Sequence, residues 1–319
     1  MTQSTPTIRA GFCAVIGAPN AGKSTLTNAL VGEKISIVTH KVQTTRFQIR
    51  GIAMLESSQV VLVDTPGIFA AKSRLDRSMV HAAWTGTKDS SAIIHVVDAP
   101  AFSRVLSGGE SGAQDRLAAK DTERVIEGLK KRGQDVPVFL VLNKIDQVAG
   151  EEALPLIAHF SEPDIYQAIL PISATAGTGL AELKTLLAEA MPEGPYLFPP
   201  DQAADVQSKI IAAEITREKL YLQVHDEIPY ESMIETESWK TLRSGDIRIE
   251  QIIYVRKDSQ KPIILGAGGR KIKAIGAAAR EEMQDWLGVK VHLFLFVKVR
   301  TNWRDDKEHY TEFGLEFDV

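Results

Sequence analysis

From Phe12 to about Met191, short apolar runs alternate with stretches of helical periodicity. FCAVIG, QVVLVDTPG, SAIIHVVDA and PVFLVLNK each read as a buried strand that ends in a turn residue or a polar side chain. Continuous apolar strands separated by helices predict an α/β fold, with a mostly parallel sheet and helices on both faces. In such sheets the loops at the carboxyl ends of the strands make the ligand site. The stretch Met191–Asp201, MPEGPYLFPPD, then places four prolines in eleven residues, which suits a semi-rigid spacer. Beyond it, Ala203–Leu222 reads as a helix with Ile210, Ile211, Ile215 and Leu220 on an apolar face. Strands follow at Ser232–Trp239 and Ile247–Arg256, then two helical stretches around a glycine cluster, and VHLFLFVKVR closes a second, α+β domain. The expected domains are 9–191, 192–201 (linker) and 202–314. Within the first, Ser103–Ala119 carries glycine and serine and reads as a loop insertion, of the kind loop-closure entropy tolerates. In the last strand Val291, Leu293, Leu295 and Val297 alternate with His292, Phe294, Phe296 and Lys298. Phe294 and Phe296 are expected to pack in a core or between domains rather than to stack on bases.

Composition narrows the class without naming it. The 319 residues are 44% hydrophobic and 24% charged, ordinary for a globular chain of about two domains. The longest apolar runs, such as Val138–Leu142 and Leu293–Val297, fall short of the ~20 residues of a membrane helix. Cys13 alone permits no internal disulfide, and MTQSTPTIRA has no export pattern, so a reducing cytosolic home is expected. The net charge of -4 hides an asymmetry: Arg256–Arg304 holds eleven Lys/Arg against four acids. That region is either a solvated face or a nucleic-acid surface.

The first strand runs into GAPNAGKS (Gly17–Ser24) and a helix opening, TLTNAL. This is the phosphate-loop pattern G-x-x-x-x-G-K-[ST] in its strand–loop–helix setting. Its backbone N–H groups wrap phosphate oxygens, and the helix N-terminus adds partial positive charge. Gly17, Asn20, Ala21, Gly22, Lys23, Ser24 and Thr25 are the expected contacts, with Lys23 bridging the outer phosphates and the Ser24 hydroxyl on Mg²⁺. DTPG (Asp64–Gly67) ends a later strand, placing Asp64 to hold the metal through water and the Gly67 N–H to sense a terminal phosphate. NKID (Asn143–Asp146) ends another, and ISAT (Ile172–Thr175) the next. The Asp146 carboxylate can accept from both N1–H and the 2-amino group of guanine, a donor pair that adenine lacks. Asn143, Lys144, Ser173 and Ala174 complete that base pocket.

In this order, each at a strand end, the motifs resemble the translation-factor-like P-loop GTPases. That resemblance implies a metal-binding threonine between the phosphate loop and DTPG; QTTR (Gln43–Arg46) matches, with Thr45 preferred over Thr44. Lys23, Thr45 and Gly67 are thereby the expected catalytic groups. Many such GTPases place a water-orienting glutamine directly after DxxG. Here Ile68 stands there, and no apolar group orients a water. The chain is similar to GTPases that pair this substitution with an asparagine in the phosphate loop, here Asn20, which helps hold K⁺ near the phosphates. The alternative for Asn20 is a loop asparagine tolerating an unusual backbone conformation.

Inside the basic region, GAGG (Gly266–Gly269) separates two helical stretches, and Arg270, Lys271 and Lys273 follow. This order resembles the bacterial-type (type II) KH module, whose G-x-x-G loop clamps a nucleotide backbone. Gly266, Gly268 and Gly269 allow close approach, and the three cations meet phosphates. Where KH loops often carry basic residues, this one has Ala267 and Gly268.

A GTPase domain joined by a proline-rich linker to one such KH domain is the layout of the Era GTPases. DTPGI, LDRSMVHAAW (Leu75–Trp84), HDEIPYE (His225–Glu231), RKIKAIG (Arg270–Gly276) and FLFVKVRTNWRDD (Phe294–Asp306) extend the resemblance from about Arg9 to Gly314. It implies GTP/GDP and Mg²⁺ as ligands, 16S rRNA near its 3′ end and the 30S subunit as partners, and a monomer assisting 30S maturation. It also implies a cytoplasmic protein with, as in some members, peripheral association with the inner membrane. Two other classes fit the sequence: an RNA chaperone that senses GTP and hardly turns it over, and a membrane-linked signalling switch.

Overall fold

The computed structural model describes residues 7–39, 45, 48–133, 135–205, 207–224, 228–301, 307, 310 and 315–319. Two compact units emerge, one of Met1–Ser36, Val42–Asp205 and Tyr310–Val319, the other of Ile37–Lys41 and Val206–His309.

The first unit runs β1 (Arg9–Gly17), α1 (Lys23–Val31), β2 (Ile49–Leu55), β3 (Ser58–Asp64), α2 (Arg74–Thr85), β4 (Ala92–Asp98), α3 (Ala99–Leu106), α4 (Ala113–Arg132), β5 (Val138–Asn143), α5 (Gly150–Ser161), β6 (Ala168–Ile172) and α6 (Leu180–Ala190). Its six strands lie in the order β2-β3-β1-β4-β5-β6. All neighbours are parallel except β2, which returns antiparallel along β3. Strand alternation feeds two cores. Cys13, Val15, Ile94 and Val96 point to the layer with Leu26, Leu183 and Leu187, whereas Ala14, Ile16 and Ile93 meet Val125 and Leu129. Each fully buried Leu, Ile or Phe contributes about 1.5–3 kcal/mol of hydrophobic stabilisation. Cys13 is fully buried, which pushes its thiol up and leaves it inert. His95 of β4 is also fully buried; its Nδ1 lies 2.8 Å from the Tyr166 hydroxyl, and burial lowers its pKa to about 3.

Two sequence readings change here. The sequence offered no strand at β2, because Arg50 and Gly51 interrupt its apolar run. The expected loop insertion at Ser103–Ala119 is instead the end of α3, a turn and the start of α4. Asp98 caps α3 by accepting from the Ala101 N–H at 3.0 Å, and Asp115 at the start of α4 holds Arg104 through two hydrogen bonds of 2.7 and 3.0 Å. The glycines mark only the corner between two helices.

The proline-rich stretch is hydrogen-bonded along the first unit. The Ala10 N–H donates to Pro192 O at 3.0 Å, and Leu197 and Phe198 N–H groups donate to Gln59 Oε1. The Ile52 N–H donates to Ala203 O at 2.8 Å, and the Asp205 N–H to Arg50 O at 3.0 Å.

The second unit carries α7 (Ser208–Gln223), α8 (Ile228–Glu231), β7 (Met233–Thr241), β8 (Ile247–Val255), α9 (Lys261–Leu265), α10 (Arg270–Leu287) and β9 (Val291–Val299). β7 pairs antiparallel with β8, and β9 pairs parallel with it. Leu220, Ile253, Ile264 and Ile275 form one core cluster, and Ile215, Ile249, Ala279 and Met283 another. Leu295 and Val297 pack against the first of these. Phe294 and Phe296 do not follow the expectation of a packed core: they are 42% and 48% exposed on the opposite face of β9. The Arg248 guanidinium lies 4.8 Å from the Phe294 ring centroid.

Candidate functional site

β1 delivers Gly17 to the carboxyl end of the sheet, and α1 begins six residues later at Lys23. Gly22 between them has φ 95°, and a Cβ there would come within 2.1 Å of Asn143 Nδ2. Only glycine fits. That contact belongs to a brace. Asn143, nearly fully buried at the end of β5, donates from Nδ2 to Ala21 O at 2.9 Å. Its Oδ1 accepts from the Ala174 N–H at 3.1 Å. One side chain thus holds the phosphate loop against the Ser173–Ala174 loop.

The neighbouring residues extend the brace. Lys144, at φ 62°, donates from Nζ to Asn20 O at 2.9 Å and pairs with Asp98. Asn20 itself has φ 63°, so it does occupy an unusual backbone conformation. Ser173 is buried, and its Oγ accepts from the Ala176 N–H at 3.1 Å, which closes its loop. Asp146 stands exposed on a single 3₁₀ turn, Ile145–Gln147. Thr25 is half-buried in the first turn of α1.

The phosphate end is dominated by two buried charges. Lys23 donates from Nζ to Ala18 O at 2.9 Å and to Gly17 O at 3.2 Å. Burial lowers its pKa to about 8, opposed by Asp64. Asp64 is fully buried, and neither carboxylate oxygen has a hydrogen-bond partner among the described residues. Burial raises its pKa, with Lys23 and then the Ser24 and Ser36 hydroxyls acting the other way. Ser24 Oγ lies 2.9 Å from Thr45 Oγ1, so two of the expected metal ligands do meet. Two hydroxyls beside an unpaired buried carboxylate form an all-oxygen donor set suited to a hard divalent cation such as Mg²⁺. Gln43, Thr44 and Arg46 of QTTR lie outside the described residues.

Gly67 runs tightly against the phosphate loop, since a Cβ there would sit 2.9 Å from the Pro19 ring. The next residue explains its own chemistry. The Ile68 N–H donates to Gly17 O at 3.0 Å, while its side chain, 3% exposed, joins Ala14, Ile16, Ala83 and Ile93 in the core. An apolar residue stands after DTPG because that side chain is a core residue. The sequence reading assigned Thr65, inside DTPG, and Asp98 no role of their own; Thr65 anchors DTPG by donating from Oγ1 to Val15 O at 2.8 Å, and Asp98 pairs with Lys144.

The second unit holds the glycine loop. α9 ends at Gly266, the turn Ala267–Gly269 follows, and α10 starts at Arg270. Gly266, Gly268 and Gly269 take φ values of 70°, 60° and 75°, and open space surrounds the missing Cβ of Gly268 and Gly269. Among the described residues no side chain caps the N-terminus of the eighteen-residue α10, and its first amide, Arg270 N–H, donates to Ala267 O. Arg270 and Lys273 are exposed; Arg270 Nε donates to Ala267 O at 3.2 Å, and Lys271 is half-buried beside Gly266. Residues 225–227 of HDEIPYE and 302–306, including Arg304, lie outside the described residues.

Comparison with known proteins follows the same division. Residues 12–144 match the family described as 50S ribosome-binding GTPase, and residues 227–304 match the KH domain. GTPase Era of Maricaulis maris is 53% identical over 311 residues, covering 98% of each chain. GTPase Era of Caulobacter vibrioides is 48% identical over the full length of both. The crystal structure of Era with MgGDPNP and nucleotides 1506–1542 of 16S ribosomal RNA superposes with a TM-score of 0.86, at 33% identity, over 98% of this chain and all of that one. An Aquifex aeolicus Era variant bound to GDP·AlF4⁻ gives 0.83 at 32% identity, with the same coverage. With both domains matched and relatives aligned end to end, the chain belongs to the GTPase Era family.

Proposed function

We propose that the chain hydrolyses GTP and binds 16S rRNA near its 3′ end to assist assembly of the small (30S) ribosomal subunit. A GTPase domain at 9–191 and a KH domain at 202–314, joined through 192–201, carry the two activities. The observation that supports it most is the Asn143 brace, which assembles phosphate and base loops at one end of the sheet. In this reading Ser24, Thr45 and Asp64 hold Mg²⁺, which supplies charge neutralisation at the phosphates when bound. Lys23 exchanges the Gly17 and Ala18 carbonyls for phosphate oxygens, and the Gly67 N–H faces the terminal phosphate. Asp146 reads guanine, with Asn143, Lys144, Ser173 and Ala174 shaping its pocket. No described helix is long and apolar enough to cross a membrane.

Ile68, committed to the core, cannot orient the attacking water, and in this reading a K⁺ ion held with the help of Asn20 would neutralise charge at the phosphates. Turnover at matched ionic strength should be several-fold faster in K⁺ than in Na⁺, and Asn20→Ala should remove the difference. Equal rates in the two salts reject the cation. Negligible turnover in both moves the reading to a GTP-sensing RNA chaperone.

RNA contact is tested by salt. Lys271→Ala should weaken binding of a 16S 3′-end RNA about equally across sequence variants. It should also reduce the slope of log K against log salt by about 0.7, the value for one phosphate on a single strand. An unchanged slope removes Lys271 from the phosphate contacts.

A further inference from the structure

α2 contains LDRSMVHAAW (Leu75–Trp84), a stretch to which the nucleotide site assigns no role. Two parts of that site nevertheless rest on it. Ala83 joins the core cluster of Ile68, the residue after DTPG, whose N–H donates to Gly17 O at 3.0 Å. Gln48, three residues after Thr45, donates from Nε2 to Ala82 O at 2.6 Å. The position of α2 is thus shared with the segments that carry Gly67 and Thr45.

Another side of α2 is covered from far along the chain. After β9, the last strand of the second unit, residues 310–319 belong again to the first. Tyr310 and Leu315, 2% and 6% exposed, form an apolar cluster with Met79 and Ala82, and Leu75 and Phe317 pack against it. Leu75, Met79 and Ala82 stand at i, i+4 and i+7, a single stripe of the helix. Polar contacts run beside that stripe. The Arg74 guanidinium lies 4.5 Å from the Phe317 ring centroid, and Arg77 Nε donates to Val319 O at 3.2 Å. His81 Nε2 lies 3.5 Å from a Glu316 carboxylate oxygen. The segment is also folded on itself: the Leu315 N–H donates to Tyr310 O at 2.7 Å, and the Tyr310 and Phe317 rings meet edge to face at 4.9 Å.

We propose that residues 310–319 are a strap that positions α2 for GTP hydrolysis, with Leu315 and Phe317 as positioning residues. They act through α2 on Ile68 and Gln48, and so on Gly67 and the Thr45 segment. This rests on the reading of Gly67 and Thr45 as groups at the phosphate end of the site. The phosphate loop and base loops are braced separately by Asn143, so the strap bears on rate rather than on nucleotide affinity. A misplacement of about 1 Å caused far from the reacting atoms can cost roughly 10²-fold in rate.

The test is single-turnover GTP hydrolysis by the full chain, with GDP affinity and hydrogen exchange of the α2 amides measured on the same samples. Leu315→Asp puts a charge into the apolar cluster and should release the segment. The α2 amides should then exchange faster and hydrolysis slow by about tenfold or more, while GDP affinity stays at the parent value and shows that the site is folded. Phe317→Ala, at a half-buried position, should act in the same direction more weakly. Leu315→Met should keep the parent rate. Faster α2 exchange with an unchanged rate of hydrolysis overturns the proposal. A higher rate does so too, because the segment would then restrain α2 rather than position it. Unchanged α2 exchange means that the segment does not hold the helix, and a fall in GDP affinity equal to the fall in rate means a general packing role; either overturns it. Gly67→Ala hydrolysing at the parent rate would fail the reading of Gly67 itself, and this inference with it.

Discussion

Asp146→Asn is expected to weaken GTP binding roughly 10²–10⁴-fold and to improve binding of xanthosine triphosphate. The carboxylate offers two acceptor oxygens to the paired N–H donors of guanine, and each hydrogen bond to a charged group contributes about 1.5–3 kcal/mol. The amide keeps one acceptor and turns a donor toward the other N–H. Xanthine carries a carbonyl where guanine has its amino group, so the same donor finds a partner there. The position suits this role because Asp146 is exposed on its short turn, while the adjoining Asn143 does the structural bracing. Folding should be untouched. Calorimetry with both nucleotides checks it, and an unchanged GTP affinity would remove NKID from the base pocket.

The second large effect belongs to the KH loop. Gly268→Asp should lower affinity for a 16S 3′-end RNA by two orders of magnitude or more, with GTP binding unaffected. The site has open space for a new side chain, so no clash within the protein is expected. The φ of 60° is one that aspartate tolerates better than most residues. What changes is the surface an incoming strand meets: a carboxylate replaces bare backbone beside the uncapped start of α10. Filter binding, with circular dichroism as the folding control, reads the result. A variant that folds and binds as the parent does would move RNA contact elsewhere, with Phe294 and Phe296 on the outer face of β9 the next candidates.

The motif residues that the fold brings to one end of the sheet were legible because the recognition proposed for them would require particular side chains at strand ends, and the apolar runs mark those ends. Asp64, Asn143 and the Ser173–Ala174 loop are found that way. Ile68 was legible as a departure, but not its cause, which is membership of a core that only the folded chain assembles. β2 escaped because an edge strand needs no continuous apolar run. The α3–α4 corner was misread because Gly108, Gly109 and Gly112 cluster, whereas the Arg104–Asp115 link that closes it joins residues eleven apart.

The pairing of residues 203–205 with β2 has a consequence for how the first unit can be isolated. β2 is the outermost strand on its side of the sheet, and such a strand offers its free amides and carbonyls to any other chain. Ala203 and Asp205 take up the Ile52 amide and the Arg50 carbonyl on that margin. A fragment cut at Met191 would bare them, and two copies could then join strand to strand into dimers or aggregates. A fragment carried through Asp205 keeps its own guard.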